Sequence, residues 1–511
     1  MLHPRASSPT KSRRTDIFGC GRIQLVPQFV LSERKEGEEH GKPTGDGQIC
    51  ANSDVVRKMV DGRKMQTESE VPPGGKVIVI GAGFSGIAAA CALKEAGYDV
   101  TILEARDRIG GRVRTDRRFG TPIDLGASWL HGGAGNPLKP VAKALGVKTR
   151  VSDYGNLAAY RLDTLGRLPI RQEDLEHERA RLDSALYRKN VWPYYSTMLR
   201  RWLGLAGTRV SVADVLGKLS FHSTQAGRFA LCRIEKGIEG IYAAPAQELS
   251  FANLLYESAT DPEGKSLPQG EQFILGGMDG LIDHFAEAVS VQFGQTVKRI
   301  SYGVKGVQVK TEREVFSADG TIVTVSIGLL RSGRLSFDPE LPQSHQTALS
   351  RMDMGLLNKV ILRFPRAFWP EEADFLFVCR DTLCPFYVNF AAYARVPILV
   401  GLSGGTAAHE IEDLSDQAIV ARLCKELSGI MGNAVPDPTD VIVQRWRSDP
   451  FALGSYAYLR VGANGGEPKV LSRPVAGRVF FAGEALHPHD PGTVHGAYWS
   501  GQRAAWQVQG A

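Results

Sequence analysis

Cysteine is scarce and unpatterned in this chain: there are seven, an odd number, with no CxxC spacing. That speaks against a disulfide scaffold and for a reducing compartment. An excess of one charge is also missing. Lys and Arg number 61 against 55 Asp and Glu, leaving +6, too little over this length to argue for nucleic acid. No apolar run is long enough to span a bilayer. The nearest, Val77 to Leu93, is broken by Gly81, Gly83, Ser85 and Gly86. No charged segment followed by an apolar one opens the chain, and no apolar tail closes it, so neither a secretory signal nor a C-terminal anchor is expected. These absences lead to the expectation of a soluble, cytoplasmic protein with no membrane or nucleic-acid partner, as a monomer or a dimer.

What is present is ordinary for a globular enzyme: 43% hydrophobic and 23% charged residues. That excludes a collagen, a coiled coil and a wholly disordered chain. At about 150 residues per domain, the length suggests two to three domains or one composite one. Residues 1–74 show no sustained period of 2 or 3.6 and read as a disordered or poorly ordered extension. The acids between Glu33 and Glu39 do not suit a transit peptide, and Met65 is an alternative start. Beyond it, residues 137–265 read as mainly helical, with Arg171 to Arg188 the longest periodic stretch. Strand character marks 273–275, 307–309, 321–325, 359–364, 398–400 and 478–483.

The first sharp signal begins at Lys76. The run Lys76-Val77-Ile78-Val79-Ile80 has the β-branched composition of a buried parallel strand. Gly81-Ala82-Gly83-Phe84-Ser85-Gly86 follows, then an Ala-rich helix stopped at Gly97, then a second strand ending at Glu104. A GxGxxG turn between strand and helix, with an acid about 20 residues on, is a dinucleotide site. Gly81 permits the tight turn, Gly83 admits the pyrophosphate, and Gly86 lets helix and strand approach. Phe84 and Ser85 open the helix, whose N-terminus offers unpaired N–H groups to phosphates. Glu104 would accept from ribose hydroxyls. The continuation Ala105-Arg106-Asp107-Arg108-Ile109-Gly110-Gly111-Arg112 adds two glycines and a guanidinium, which suits the longer pyrophosphate bridge of FAD better than NAD. On its own chemistry Arg112 reads equally as a surface arginine.

These residues resemble the flavin-containing amine oxidase family, and the resemblance extends over about residues 76–508. Asp124-Leu125-Gly126-Ala127-Ser128-Trp129-Leu130-His131-Gly132 is similar to the loop that runs beside the flavin, in the form seen in plant and animal polyamine oxidases. Val297 resembles the valine whose backbone meets the adenine. Phe480-Phe481-Ala482-Gly483-Glu484 and Pro491-Gly492-Thr493-Val494-His495-Gly496-Ala497 resemble the C-terminal flavin signature. Glu484 would bond sugar hydroxyls, while Thr493 and Val494 would aim helix N–H groups at the flavin edge that gains charge on reduction.

The resemblance also implies a reactive end. Lys359, in Leu357-Asn358-Lys359-Val360-Ile361, is similar to the lysine that holds a water against flavin N5. By composition alone it reads as a solvated lysine opening a strand. Trp446, Phe451 and Tyr456 carry a further match, with Tyr456 and Thr493 at the two walls of the amine cage. Thr493 stands where monoamine oxidases have an aromatic, and Ser455 stands where they have the flavin-linking cysteine, which implies noncovalent FAD. His131 resembles a substrate-side histidine of acetylpolyamine and spermine oxidases. Without the family, these aromatics and His131 read as core packing or loop structure.

The implied fold is α/β, a Rossmann-like FAD domain of discontinuous segments with an inserted α+β substrate domain. The boundaries expected are 75–136, 266–345 and 440–511 for the FAD domain, and 137–265 and 346–439 for the substrate domain. The implied reaction is oxidation of a polyamine C–N bond (spermine, spermidine or acetylated forms), with a small-molecule amine and O2 as partners. Lys359, Tyr456 and Thr493 are the expected catalytic residues, and no metal is expected. The acidic stretch Glu173-Asp174-Leu175-Glu176 reads as a polycation attractor or as a solvated helix face. A monoamine or L-amino-acid oxidase would share most of these motifs, although no arginine clamp for an amino acid is evident. A flavin-bound chromatin or interaction module would be expected to show a coiled-coil insertion or a SWIRM-type domain, and neither is evident.

Overall fold

The computed structural model describes residues 69–132, 135–163, 166–169, 209–217, 225–251, 253, 270–379 and 381–510. Of the N-terminal extension expected over 1–74, residues up to 68 lie outside the described residues, as do the stretch 171–188 and the acidic stretch 173–176; its last residues are packed instead, with Val71 buried in a core and Glu70 N donating to Gly477 O at 3.0 Å.

Five parallel strands form one sheet in the order Val291–Gln292, Asp99–Leu103, Lys76–Ile80, Gly320–Val323, Val479–Phe481. Its members come from three distant parts of the chain. Alternation explains how one short strand serves two cores, because successive side chains leave opposite faces. Val77 and Val79 join the core built with the helices Phe84–Glu95 and Val494–Gln509. Ile78 and Ile80 join the core beneath the strands Val297–Gly303 and Gly306–Thr311. The two helices cross closely: a Cβ on Gly501 would lie 2.2 Å from Ser85 O. The first of them starts at the carboxyl end of Lys76–Ile80, where open α/β sheets bind ligands.

Seven strands form the second large sheet, in the order Asp440–Gln444, Leu357–Arg363, Ile398–Gly404, Phe386–Asn389, Phe375–Cys379, Leu157–Asp163, Gly166–Pro169. Its even-numbered strand residues Val360 and Leu362 pack on the helix Asp416–Met431 through Ile419, Leu423 and Leu427. Odd-numbered Ile361 faces the other way, onto Ile123, Leu125 and Phe273. A small third sheet sets Gln272–Ile274 between Trp129–Leu130 and Thr149–Val151.

Three expectations need correction. Residues 149–169 were expected to be helical with the rest of 137–265. They instead supply three strands, because Leu157–Asp163 pairs in parallel with Phe375–Cys379, more than 200 residues away. The boundary at 440 falls at the start of Asp440–Gln444, which pairs antiparallel with Leu357–Arg363 and so extends the seven-stranded sheet. One disulfide, Cys232–Cys379, joins the helix Gln225–Tyr242 to that sheet across a Cα separation of 6.1 Å. A pairing over 147 residues leaves no spacing signal in the sequence. Among the described residues no helix is long and apolar enough to cross a membrane.

Candidate active site

The GxGxxG turn is shaped by backbone contacts that leave no room for side chains. Gly81 has φ +104° and a Cβ there would meet Thr324 Oγ1 at 2.7 Å. On Gly86 a Cβ would stand 1.9 Å from Gly81 O. Gly83 differs: nothing closer than Gly110 O at 4.0 Å faces its missing Cβ. No side chain caps the helix that starts after Gly83. An open glycine face at an uncapped 12-residue helix N-terminus is the cradle a pyrophosphate needs. Glu104 is buried, its carboxylate accepting from Ala82 N at 2.7 Å and Arg106 N at 2.9 Å. It sits at the end of the second strand, where an adenosine ribose would lie. Val297 begins a strand close by, and Gln295 N donates to Glu104 O at 2.8 Å. Ala105 links Glu104 to Arg106, whose guanidinium is engaged with Asp449 at 2.6 Å and lies 5.1 Å over the Phe451 ring. Only the Arg106 backbone therefore faces the nucleotide turn.

Gly110 and Gly111 both have positive φ, +99° and +58°, which lets this segment fold over Gly83. Arg112 then reaches Glu484 Oε1 at 2.6 Å and Ser455 O at 2.9 Å. Glu484 also accepts from Gly492 N at 2.9 Å. Its position follows from Gly483, whose φ of +145° turns the chain at the end of the Val479–Phe481 strand. Arg112 thus ties the first nucleotide segment to the last one.

Lys359 stands on the same strand face as Ile361, away from the Asp416–Met431 helix. It is 3% exposed, so the solvated-lysine reading fails. Its Nζ donates to Asp124 O at 2.8 Å, Gly126 O at 2.7 Å and Ser128 Oγ at 2.5 Å. An ammonium has three protons, and all three are taken by the 124–128 loop. Burial pulls the lysine below its ordinary pKa, opposed by the charge of Asp124. The Asp124 carboxyl is pushed up by burial, while bonds from Thr115 and Met278 N oppose that. Gly126 is pinned against Arg112 O, where a Cβ would approach to 1.7 Å, and against Trp446. Ala127 N follows, donating to Arg112 O. Trp446 is buried and its backbone N–H donates to Asn358 Oδ1, next to Lys359. Trp129 places its ring 5.9 Å from Lys359 Nζ and donates from Nε1 to Ser152 Oγ at 3.0 Å.

Tyr456 and Thr493 meet through Gly492, since a Cβ on Gly492 would touch the Tyr456 ring at 3.2 Å. Tyr456 OH donates to Gly240 O at 2.5 Å. Burial, then the charge of Glu484, raises its pKa. Thr493 is the N-cap of the closing helix, accepting from Gly496 N at 3.0 Å and donating to Asp490 O at 2.8 Å. The first intrahelical bond is made by Ala497 N, so Val494 N–H and its neighbour precede the ladder and point out of the helix end.

His131 is drawn into a cluster that sequence reading missed. Trp129↔Phe273 and Leu130↔Gln272 are antiparallel partners, and the next step of that register sets His131 opposite Glu271. Nδ1 lies 3.0 Å from Glu271 Oε1, while Tyr154 OH donates to Oε2. Glu271 precedes the strand Gln272–Ile274, and only the pairing register marks it. Asp490, His487 and His495 form a second group, with His495 Nε2 at 3.2 Å and His487 Nδ1 at 3.4 Å from the carboxylate. Burial depresses His487 to about 4, against the pull of Asp490. Among the described residues, no group of His, Cys, Asp or Glu is arranged to hold a metal.

The chain resembles known proteins along nearly all of its described length. The family model for flavin containing amine oxidoreductase matches residues 84–509, and one for pyridine nucleotide-disulphide oxidoreductase matches residues 41–121. Polyamine oxidase 2 of Arabidopsis thaliana is 34% identical over 468 residues, covering 87% of this chain and 89% of that protein. Lysine-specific histone demethylase 1 homolog 2 of the same plant is 34% identical over 450 residues, covering 85% of this chain and 58% of that protein. Wild-type putrescine oxidase bound to putrescine superposes with a TM-score of 0.69 at 22% identity, over 86% of this chain and 99% of that one. Its likeness establishes the amine oxidase fold. A nucleotide cradle that rejects side chains at Gly81 and Gly86, joined by Arg112 and Glu484 to a buried lysine, fits FAD, and the chain belongs to the flavin-containing amine oxidoreductase family.

Proposed function

We propose that this protein oxidises a C–N bond of a polyamine, such as spermine, spermidine or their acetylated forms, with noncovalent FAD and dioxygen. The observation that carries the reading is the cage: Tyr456 packs against the Asp490–Thr493 loop, and the facing position is a capped threonine rather than a second aromatic. A threonine wall leaves width for a secondary amine with substituents on both sides. Relatives named polyamine oxidases, matched over 85 to 87% of this chain, support it.

FAD, when bound, accepts two electrons from the carbon next to the amine nitrogen and passes them to O2, which leaves as hydrogen peroxide. Gly81, Gly83, Phe84, Ser85, Gly86, Glu104 and Arg112 would hold the nucleotide. Glu484, Val494 and the closing helix end would meet the flavin side. Tyr456 orients the amine, and Trp129 sets its ring beside Lys359. Lys359, held in a desolvated pocket, is the group suited to hand a proton to or from a water that hydrolyses the oxidised amine. Because only the free amine gives up its α-hydrogen readily, activity rises with pH before any later fall.

Ser455 supports noncovalent attachment: its hydroxyl donates to Gly355 O at 3.0 Å and accepts from Leu357 N at 2.8 Å, so the side chain is structural. Acid precipitation should release the yellow colour into the supernatant. The main test is anaerobic addition of spermine, spermidine and their acetylated forms while following flavin absorption. Bleaching reversed by air, with peroxide release, supports polyamine oxidation. No bleaching with these amines, together with bleaching by a methylated lysine peptide, favours the reading suggested by relatives named histone demethylases, 34 to 35% identical here.

A further inference from the structure

We propose that Glu271 is a positioning residue that holds His131 as an acceptor for the outlying ammonium of the substrate, the one not being oxidised. This rests on the polyamine reading above. Three observations carry it. The antiparallel register of Trp129–Leu130 with Gln272–Ile274 sets His131 opposite Glu271, and the side chains meet at 3.0 Å through Nδ1. Tyr154 OH closes the second carboxylate oxygen, so Glu271 cannot rotate away. Lys139 fixes the two backbones, donating from one ammonium to Gly132 O and, at 2.7 Å, to Gly270 O. Each of those residues is the sequence neighbour of one member of the pair.

With Glu271 ionised beneath Nδ1, that nitrogen carries the proton and Nε2 is left as the acceptor. Among the described residues Nε2 has no hydrogen-bond partner, and the side chain keeps 38% of its accessible surface. The ring stacks on Trp129, centroids 6.4 Å apart, and Trp129 in turn faces Lys359. The acceptor therefore lies one indole away from the reactive lysine, a reach suited to a second nitrogen on an extended amine. A monoamine has no such nitrogen.

The charged groups acting on His131 are Glu271, itself bonded by the neutral phenol of Tyr154, Asp490 from the loop before the closing helix, and Lys139 from the helix Leu138–Ala144. Burial alone would lower the His131 pKa. Glu271, then Asp490, overrides it and Lys139 opposes them, so the net shift is upward. The sign follows. Below that raised pKa the His131–Glu271 pair is neutral overall and offers no acceptor. As pH rises through it, the pair becomes an anion with an open lone pair, and ammonium binding appears.

The test uses the flavin-loaded full chain and two readouts. By NMR of carbon-labelled histidine, with the His131→Gln spectrum giving the assignment, wild-type His131 should titrate above the ordinary histidine value of about 6.5. In Glu271→Gln its pKa should fall by about one unit or more, and Glu271→Asp should restore part of it. In stopped-flow reduction, Glu271→Gln should raise the spermine KM about tenfold while the limiting reduction rate changes less than about threefold. A simple alkylamine should show no such change in KM. A wild-type value at or below the ordinary one, or no change in Glu271→Gln, overturns the assignment whatever the substrate is. Equal losses for spermine and the alkylamine also overturn it. If the titrations behave as expected but no polyamine reduces the flavin, Glu271 still positions His131 and the substrate reading alone fails.

Discussion

The nucleotide end and the amine end of this site are built by different means. The nucleotide end is backbone: glycines that permit close approach, an uncapped helix, one buried carboxylate on two N–H groups. The amine end is side chains from five or more distant segments, joined by sheet register and by single hydrogen bonds. At Gly81 and Gly86 the backbone leaves no room for a Cβ, whereas a side-chain site has members that differ widely in what they contribute. Mutations therefore separate the two ends.

The largest contrast lies within the glycine turn. Gly86→Ala forces a Cβ to 1.9 Å from the Gly81 carbonyl oxygen, and that backbone cannot yield. Overpacking of this kind costs upward of about 3 kcal/mol, and no yellow folded protein is expected. Gly83→Ala meets nothing nearer than 4.0 Å, and its φ of −80° suits alanine. The apoprotein should melt within about 2 °C of wild type while purifying with little flavin, since about 0.5 kcal/mol is the usual scale of an unstrained surface change. Flavin content and apoprotein Tm read both. A Gly83→Ala protein that keeps full flavin would remove the cradle from Gly83.

At the amine end the largest effect is expected at Lys359. Lys359→Met should slow flavin reduction by about 10² to 10⁴, the usual range for removing a positioned proton-transfer group. The pH profile separates this from loosening of the 124–128 loop. Wild type should show a rising limb below the ordinary lysine value of about 10.4, because burial depresses the Lys359 pKa and the neutral amine forms as pH rises through it. The variant should lose that limb and keep only that of the substrate. A profile unchanged in shape, with a lowered Tm, would make Lys359 a strut for the loop and nothing more.

Arg112→Ala tests the joint between the two ends. Glu484 is 8% exposed at its side chain and Arg112 is 26% exposed, so the pair is only partly desolvated. Removing one partner of a fully buried pair costs about 3 to 5 kcal/mol, and with this exposure about 2 kcal/mol is expected. Tm should drop and flavin retention should weaken together. Arg112→Lys should restore it only in part, because both bonds come from the terminal Nη1 and the shorter lysine side chain must reach Glu484 and Ser455 O from further back.

Legibility in the sequence divides along the same line. Gly81, Gly83, Gly86 and Glu104 announce themselves because a backbone site has a fixed spacing, and so do the strands at 76–80 and 320–323, whose β-branched runs fill two cores. Glu271 could not be seen, because nothing but the pairing of 129–130 with 272–274 brings it to His131. The strands at 157–169 were hidden for a similar reason: pairing with a strand over 200 residues away decides their conformation, not local periodicity. Arg106 was expected at the nucleotide, but its side chain goes to Asp449, a partner that spacing does not encode.

Tyr456→Phe is the smallest test, and it asks which part of a side chain the amine end uses. The hydroxyl donates to Gly240 O, at the far end of the Gln225–Tyr242 helix, and is not free to touch substrate. Losing that bond leaves a carbonyl unsatisfied and costs about 1 kcal/mol of stability. If the ring alone frames the amine, flavin reduction by spermine should change less than about threefold, while Tyr456→Ala, which removes the ring and its packing on Gly492, should lose far more. The raised Tyr456 pKa makes the same point, since burial and the charge of Glu484 keep the phenol protonated at working pH. A large loss in Tyr456→Phe, without a matching fall in Tm, would mean that the helix end it anchors is part of the amine site. The contrast between a rigid nucleotide end and a side-chain amine end would then extend to a helix that neither motif contains.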